Sequence, residues 1–240
     1  MDEINNTAPT AQILNAEAVK KEMLGFIHKV YLWMAAGLGV TALTSAVVVS
    51  SSSLLALIIG NKFVFIGLLI AQLLAVAYLS VAVKKFSALT AQVVFLLYSL
   101  LNGLTFSVIF LVYEFSSIAT VFLISAGMFA CISIYGFVTK KDLTSVGNLC
   151  FMALIGIVIA SLVNLFFMND TAFFIIANLS VVIFVGLTAW DTQKIKMMNI
   201  IGNEGTEDDK KEAIMGALTL YLDFINLFIY LLRFLGDRRN

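Results

Sequence analysis

Charge is what this sequence has least of. Asp, Glu, Lys and Arg make up 12% of its 240 residues, where a soluble globular domain carries about a quarter. Fifteen basic and fifteen acidic residues cancel, and no basic stripe is present, which excludes a nucleic-acid partner. Proline occurs once, at Pro9, so nothing beyond the N-terminal tail breaks a helix in the usual way. The two cysteines, Cys131 and Cys150, have neither zinc-ligand spacing nor a CxxC pair, and they read as inert buried thiols. There is no HExxH, no phosphate loop and no nucleophile elbow, so nothing points to an enzyme or to a cofactor.

Apolar residues fill the space that charge leaves. They form 61% of the chain, and its mean hydropathy is +1.00. A bilayer core of about 30 Å needs about 20 apolar residues of helix. Lipid cannot satisfy an open sheet edge, and the alternation of a membrane β-barrel is absent. Seven continuous runs follow: about 30–49, 63–83, 88–113, 118–138, 146–167, 172–190 and 214–235. The fold class is therefore all-α, a polytopic bundle of seven transmembrane helices. Residues 1–26 are polar and mixed in charge, unlike a signal peptide, and read as an N-terminal cytoplasmic tail. Residues 27–236 form the membrane domain, and 237–240 a short C-terminal tail.

Lysine and arginine set the orientation. With seven crossings, eleven of them fall on the side of the N-terminus and four on the other, which places the N-terminus in the cytoplasm. Three of those four are Arg233, Arg238 and Arg239 at the end of the chain. They would lie inside if the last helix turned back, but a run of this length favours a full crossing.

The rare charges within the runs mark candidate function. An ionised group at the bilayer centre costs at least about 2.5 kcal/mol. Asp223 is the deepest, in "LYLDFINLFIYLLRF". Arg233 lies ten residues away, about 15 Å along one helix, too far for a direct pair. Asn226 can reach Asp223 along one face but cannot cancel its charge. The partner is Asp191, at the end of the sixth run in "GLTAWDTQKIK". Two adjacent carboxylates cannot both ionise cheaply, so they share a proton and titrate as one unit. Such a pair is a proton-dependent clamp between helices, and its oxygens suit Ca²⁺. Against this, Asp191 could pair with Lys194 at the interface, and Asp223 could be a structural hydrogen-bonder. Helical rise also puts Asp223 about 14 Å deep if its helix enters lipid at Ile214, while Asp191 is near the surface. Asn102, Asn164, Asn178, Gln72 and Gln92 read as hydrogen-bonders between helices, and Gly156 with Ala160 as a packing pair.

Several stretches in order, "YSLLNGLTFSVIFLVY", "SIYGFVTKKDLTSVG", "FMALIGIVIASLVNLF", "VGLTAWDTQKIK" and "LYLDFINLFIYLLRFLG", resemble the Bax inhibitor-1 family, and its bacterial members most. The likeness runs from about residue 25 to 236. It implies a seven-helix bundle with the last helix near the centre, in a bacterial inner membrane. It also implies a pH-sensitive calcium leak, with Ca²⁺ and protons as the passing ions. In that family an Asp of the sixth helix and one of the seventh sense pH, and the matching positions are Asp191 and Asp223. Asn226, Arg233 and Asn102 are candidate supporting residues. A bacterial member carries an arginine in the second helix that bonds the pair when closed. The run "FVFIGLLIAQLLAVAYLSVAV" has none, so the pair either stands alone or uses another donor. A second reading is a non-conducting regulatory protein, since some bacterial relatives associate with a membrane-bound ATP-dependent protease. The tail and the charged link "GNEGTEDDKKE" would then be the contacts. Aspartyl intramembrane proteases also use two aspartates, but their "YD" and "GxGD" signatures are absent.

Overall fold

The computed structural model describes residues 16–239. Its helices are α1 (Ala16–Ser50), α2 (Ser52–Ile59), α3 (Lys62–Ala82), α4 (Ala88–Phe106), α5 (Ile109–Val112), α6 (Phe115–Val138), α7 (Thr144–Phe167), α8 (Asp170–Met198) and α9 (Glu207–Leu235). Seven spans are long and apolar enough to cross a membrane, with α4 and α5 together making the third. Each apolar run thus becomes a span, the third of them in two helices.

The differences from the sequence reading lie at the ends. α1 begins at Ala16 and so takes in residues 16–26 of the segment read as a tail; residues 1–15 lie outside the described residues. The serine cluster does not simply end the first run. Ser51 accepts from the Leu54 amide and starts the extra helix α2. The third run breaks after Phe106, where the Ser107 hydroxyl bonds the Leu104 carbonyl and competes with the helical ladder. α8 continues past Trp190 to Met198, and α9 starts at Glu207, well before Ile214. Thr206 caps α9 by accepting from the Asp209 amide, and Glu207, Asp208 and Asp209 sit at the positive end of its dipole.

Helix α9 forms the centre. It packs against α1, α4, α6 and α8, and Leu220, Tyr221 and Leu227 are wholly buried. The Tyr221 hydroxyl shares a 2.7 Å hydrogen bond with Thr41 Oγ1, and Thr41 in turn donates to the Ser99 carbonyl. This ties α9, α1 and α4 together in an otherwise apolar layer. α3 and α7 lie outside, on α4 and α8 respectively.

Contacts at the two ends fix the direction of every helix. At one end, Lys29 of α1 donates to Asp209 of α9 at 2.8 Å, and the Gly202 amide donates to Glu22. There too the Ala88 amide donates to Glu207, and Gln193 bonds the Leu143 amide and the Lys141 carbonyl. At the opposite end the C-terminal residues join the link between α5 and α6. The Arg239 amide donates to the Val112 carbonyl at 2.9 Å, and the Asp237 amide to Ser117 Oγ at 2.8 Å. The start of α1 and the chain's end therefore lie at opposite ends, and α9 runs the full length of the bundle.

The Lys29–Asp209 pair should matter for stability. Asp209 is 1% exposed and also accepts from the Gly205 amide. Lys29→Met leaves a buried carboxylate without its cation. Removing one partner of a buried pair costs about 3–5 kcal/mol, and the partial exposure of Lys29 reduces this to about 2 kcal/mol. Thermal unfolding of the purified protein should show the loss, while Lys62→Met, in the exposed first turn of α3, should not.

Some polar residues do what the sequence suggests and others do not. Gln72 bonds the Leu101 carbonyl and Thr105 across the α3–α4 interface. Asn178 instead bonds its own helix at Phe174. Cys131 is exposed and Cys150 half-buried, which corrects the reading of both as buried; apolar surroundings in such a chain include lipid. A Cβ on Gly156 would meet nothing within 4 Å, so it is no packing contact within the chain.

Candidate functional site

Asp191 is aimed by its neighbours in "WDTQ". The Trp190 ring lies where a Cβ on Gly147 of α7 would be, so only glycine lets α7 approach it. Gln193 clasps the α6–α7 link through both ends of its amide. Gly136 of α6 is pressed against the Ala189 backbone. With these neighbours fixed, Asp191 turns toward α9.

On α9, Asp223 and Asn226 stand about one turn apart on the face toward α7 and α8. Asp191 and Asp223 line one cavity of about 700 Å³ with Lys194, Asn226, Asn148 and Thr219. They are 8% and 5% exposed, and the Asp191 carboxylate acts electrostatically on Asp223. Lys194 Nζ lies 3.2 Å from Asp191 Oδ1 and 4.6 Å from the centre of the Trp190 ring. Asp223 Oδ2 is buried without a hydrogen-bond partner. A buried carboxylate oxygen left bare in a cavity is costly unless a proton, a water or a cation meets it.

α8 runs seven residues beyond Asp191, to Met198, so Asp191 lies about two turns inside its helix rather than at its end, and it lines one cavity with Asp223.

The supporting residues divide. Asn226 lines the cavity, with its amide NH₂ donating to Leu222 O of its own helix, which leaves its carbonyl for the cavity. Asn102 is buried in α4 and bonds Tyr98, away from the pair. Arg233 lies near the far end of α9, over the Phe173 and Tyr230 rings, and does not line this cavity. Asn148 and Thr219 had no sequence signal, because one amide or one threonine in an apolar helix is ordinary.

Comparison with known proteins shows the family of the chain. Residues 23–240 match the family described as "Inhibitor of apoptosis-promoting Bax1". The chain belongs to the Bax inhibitor-1 family. It is 48% identical over 215 residues to the inner membrane protein YbhL of Escherichia coli K12, covering 89% of this chain and 92% of that protein. An uncharacterized Borreliella burgdorferi protein is 45% identical over 215 residues, 90% of this chain and 93% of its own. RP147 of Rickettsia prowazekii is 42% identical over 225 residues, covering 93% and 92%. In this Bax inhibitor-1 protein the second span, α3, does not line the carboxylate cavity. The cation beside the pair comes instead from α8, as Lys194.

Proposed function

We propose that this protein is a pH-sensitive calcium leak of a bacterial inner membrane, with Asp191 and Asp223 as a shared binding site for protons and Ca²⁺. The observation that carries the reading is the bare Asp223 carboxylate in a cavity that also holds Asp191. A fixed structural role would give that oxygen a donor from a neighbouring helix. An exchangeable partner explains why it has none.

The chemistry is one of competition. Ca²⁺ prefers about six to eight oxygens. Two carboxylates with the Asn226 and Asn148 carbonyls fall short of that number, and water supplies the rest. No cluster of three or more His, Cys, Asp or Glu suited to a metal occurs among the described residues. The site is therefore weak, as passage requires: an ion must leave as readily as it enters. Protons occupy the same oxygens as pH falls, so Ca²⁺ binding grows as pH rises. Eleven basic residues on the α1 side would place that end in the cytoplasm. No catalytic step enters this reading.

Lys194 would be the resident cation that Ca²⁺ must displace. Lys194→Gln should raise the apparent Ca²⁺ affinity about tenfold, the equivalent of about 1.4 kcal/mol. Lys194→Arg should behave like the parent. Binding titrations at fixed pH would show this.

The test of the function is Ca²⁺ flux in proteoliposomes from about pH 5.5 to 8.5. Flux above empty liposomes that changes with pH supports the leak. Flux equal to empty liposomes refutes it and turns attention to capture of a membrane-bound protease.

A further inference from the structure

The carboxylate cavity is half of a longer groove. A second cavity, of about 460 Å³, lies further along α7, α8 and α9, and the two share Val158 and Tyr230. α7 packs on α8 without comparable contact to α9, so the groove lies between α7 and α9 with α8 as its floor. Its walls are apolar and face the bilayer: Val158 and Leu162 are at least half exposed. Two charges stand at its far end. Arg233 lies 5.3 Å from the Phe173 ring and 5.3 Å from the Tyr230 ring, with no ion pair among the described residues. Asp170 lines the same cavity and is not paired with it.

We infer that this groove binds one bilayer phospholipid carrying a primary amine, from the leaflet at the C-terminal end of the bundle. An anion alone would be repelled by Asp170, and a cation alone by Arg233. A zwitterionic headgroup satisfies both: the phosphate accepts from the guanidinium, and the ammonium donates to Asp170. Aromatic rings that stack the guanidinium hold it at the interface, where such rings sit.

The length fits as well. Arg233 is ten residues beyond Asp223 on α9, about 15 Å. That is half of a core of about 30 Å, the depth of one acyl leaflet. A phosphate at Arg233 brings its acyl chain past Tyr230 and Val158 to the level of Asp223. The lipid tail then covers the membrane side of the carboxylate cavity and keeps its water and ions from the bilayer.

Native mass spectrometry of the full chain with equal amounts of phosphatidylethanolamine, phosphatidylcholine and phosphatidylglycerol tests this without Ca²⁺, so its outcome is independent of the leak reading. The parent should retain the ethanolamine lipid several-fold over the others. Arg233→Gln should lose that retention about tenfold, and Arg233→Lys should keep most of it. Asp170→Asn should bind the three lipids alike. A second readout uses Trp190, which lines the groove. With Trp33→Phe as background, an ethanolamine lipid brominated near its chain ends should quench Trp190, and Arg233→Gln should remove the quenching. Equal retention of all three lipids by the parent, or an Arg233→Gln protein that retains and quenches like the parent, overturns the inference.

Discussion

If the proposed leak is right, Asp223→Asn should remove the pH dependence of Ca²⁺ flux, and adding Asp191→Asn should change nothing further. The reason is that the two carboxylates line one cavity and Asp191 acts electrostatically on Asp223. Groups that interact this strongly titrate as a pair, with protonation steps that belong to neither alone. One proton bound at a site can alter its occupancy by up to about tenfold per pH unit. Removing either member leaves a single carboxylate, and the shared proton loses its second oxygen. For Asp191→Asn the remaining carboxylate, Asp223, is the buried one without a hydrogen-bond partner. For Asp223→Asn the remaining one, Asp191, keeps Lys194 at 3.2 Å as its charge partner. Either way the profile flattens. Two independent sensors would give two partial losses that sum in the double variant. Flux profiles of the parent, both single variants and the double variant separate the two cases.

Gly136→Ala should destabilise the protein by about 2 kcal/mol, while Gly156→Ala should be neutral or stabilising. A Cβ on Gly136 would strike the carbonyl, carbon and Cα of Ala189, all backbone atoms. No rotamer can relieve this, so α6 and α8 must part, and overpacking of that kind costs about 1–3 kcal/mol. A Cβ on Gly156 meets nothing within 4 Å. There alanine brings only its better helix propensity, at most about 1 kcal/mol. Thermal unfolding in detergent measures both. Gly136→Ala also has a functional readout. Ala189 stands two residues before Asp191, so separating α6 from α8 would move one carboxylate relative to the other and should weaken the proposed pH response.

The spans were legible because lipid leaves the chain few choices. A long apolar run can satisfy its backbone only as a helix, and the seven runs became seven spans. Asp223 was legible for the same reason, since a lone carboxylate in such a run is conspicuous. Its companionship with Asp191 was less so. Apolar runs end where polar residues begin, whereas α8 and α9 continue beyond their apolar runs at their shared end. Asp191 was therefore read as the end of a helix that in fact runs about two turns further. Arg233 was a candidate supporting residue already too far from Asp223 for a direct pair, and it lines a different cavity. Lys194 was visible only as a surface partner for Asp191; its place in the cavity depends on how α7 and α9 flank α8. The glycine contacts at Gly136 and Gly147 could not be read at all, because a glycine in an apolar helix does not show what it faces.

The most direct test of the shared site counts protons. Ca²⁺ is titrated into the purified protein by calorimetry in two buffers of different ionisation enthalpy, near neutral pH. The shared site predicts net proton release on Ca²⁺ binding in the parent, and none in the Asp191→Asn, Asp223→Asn double variant. Binding without proton release in the parent, or equal binding and release in the double variant, would contradict it.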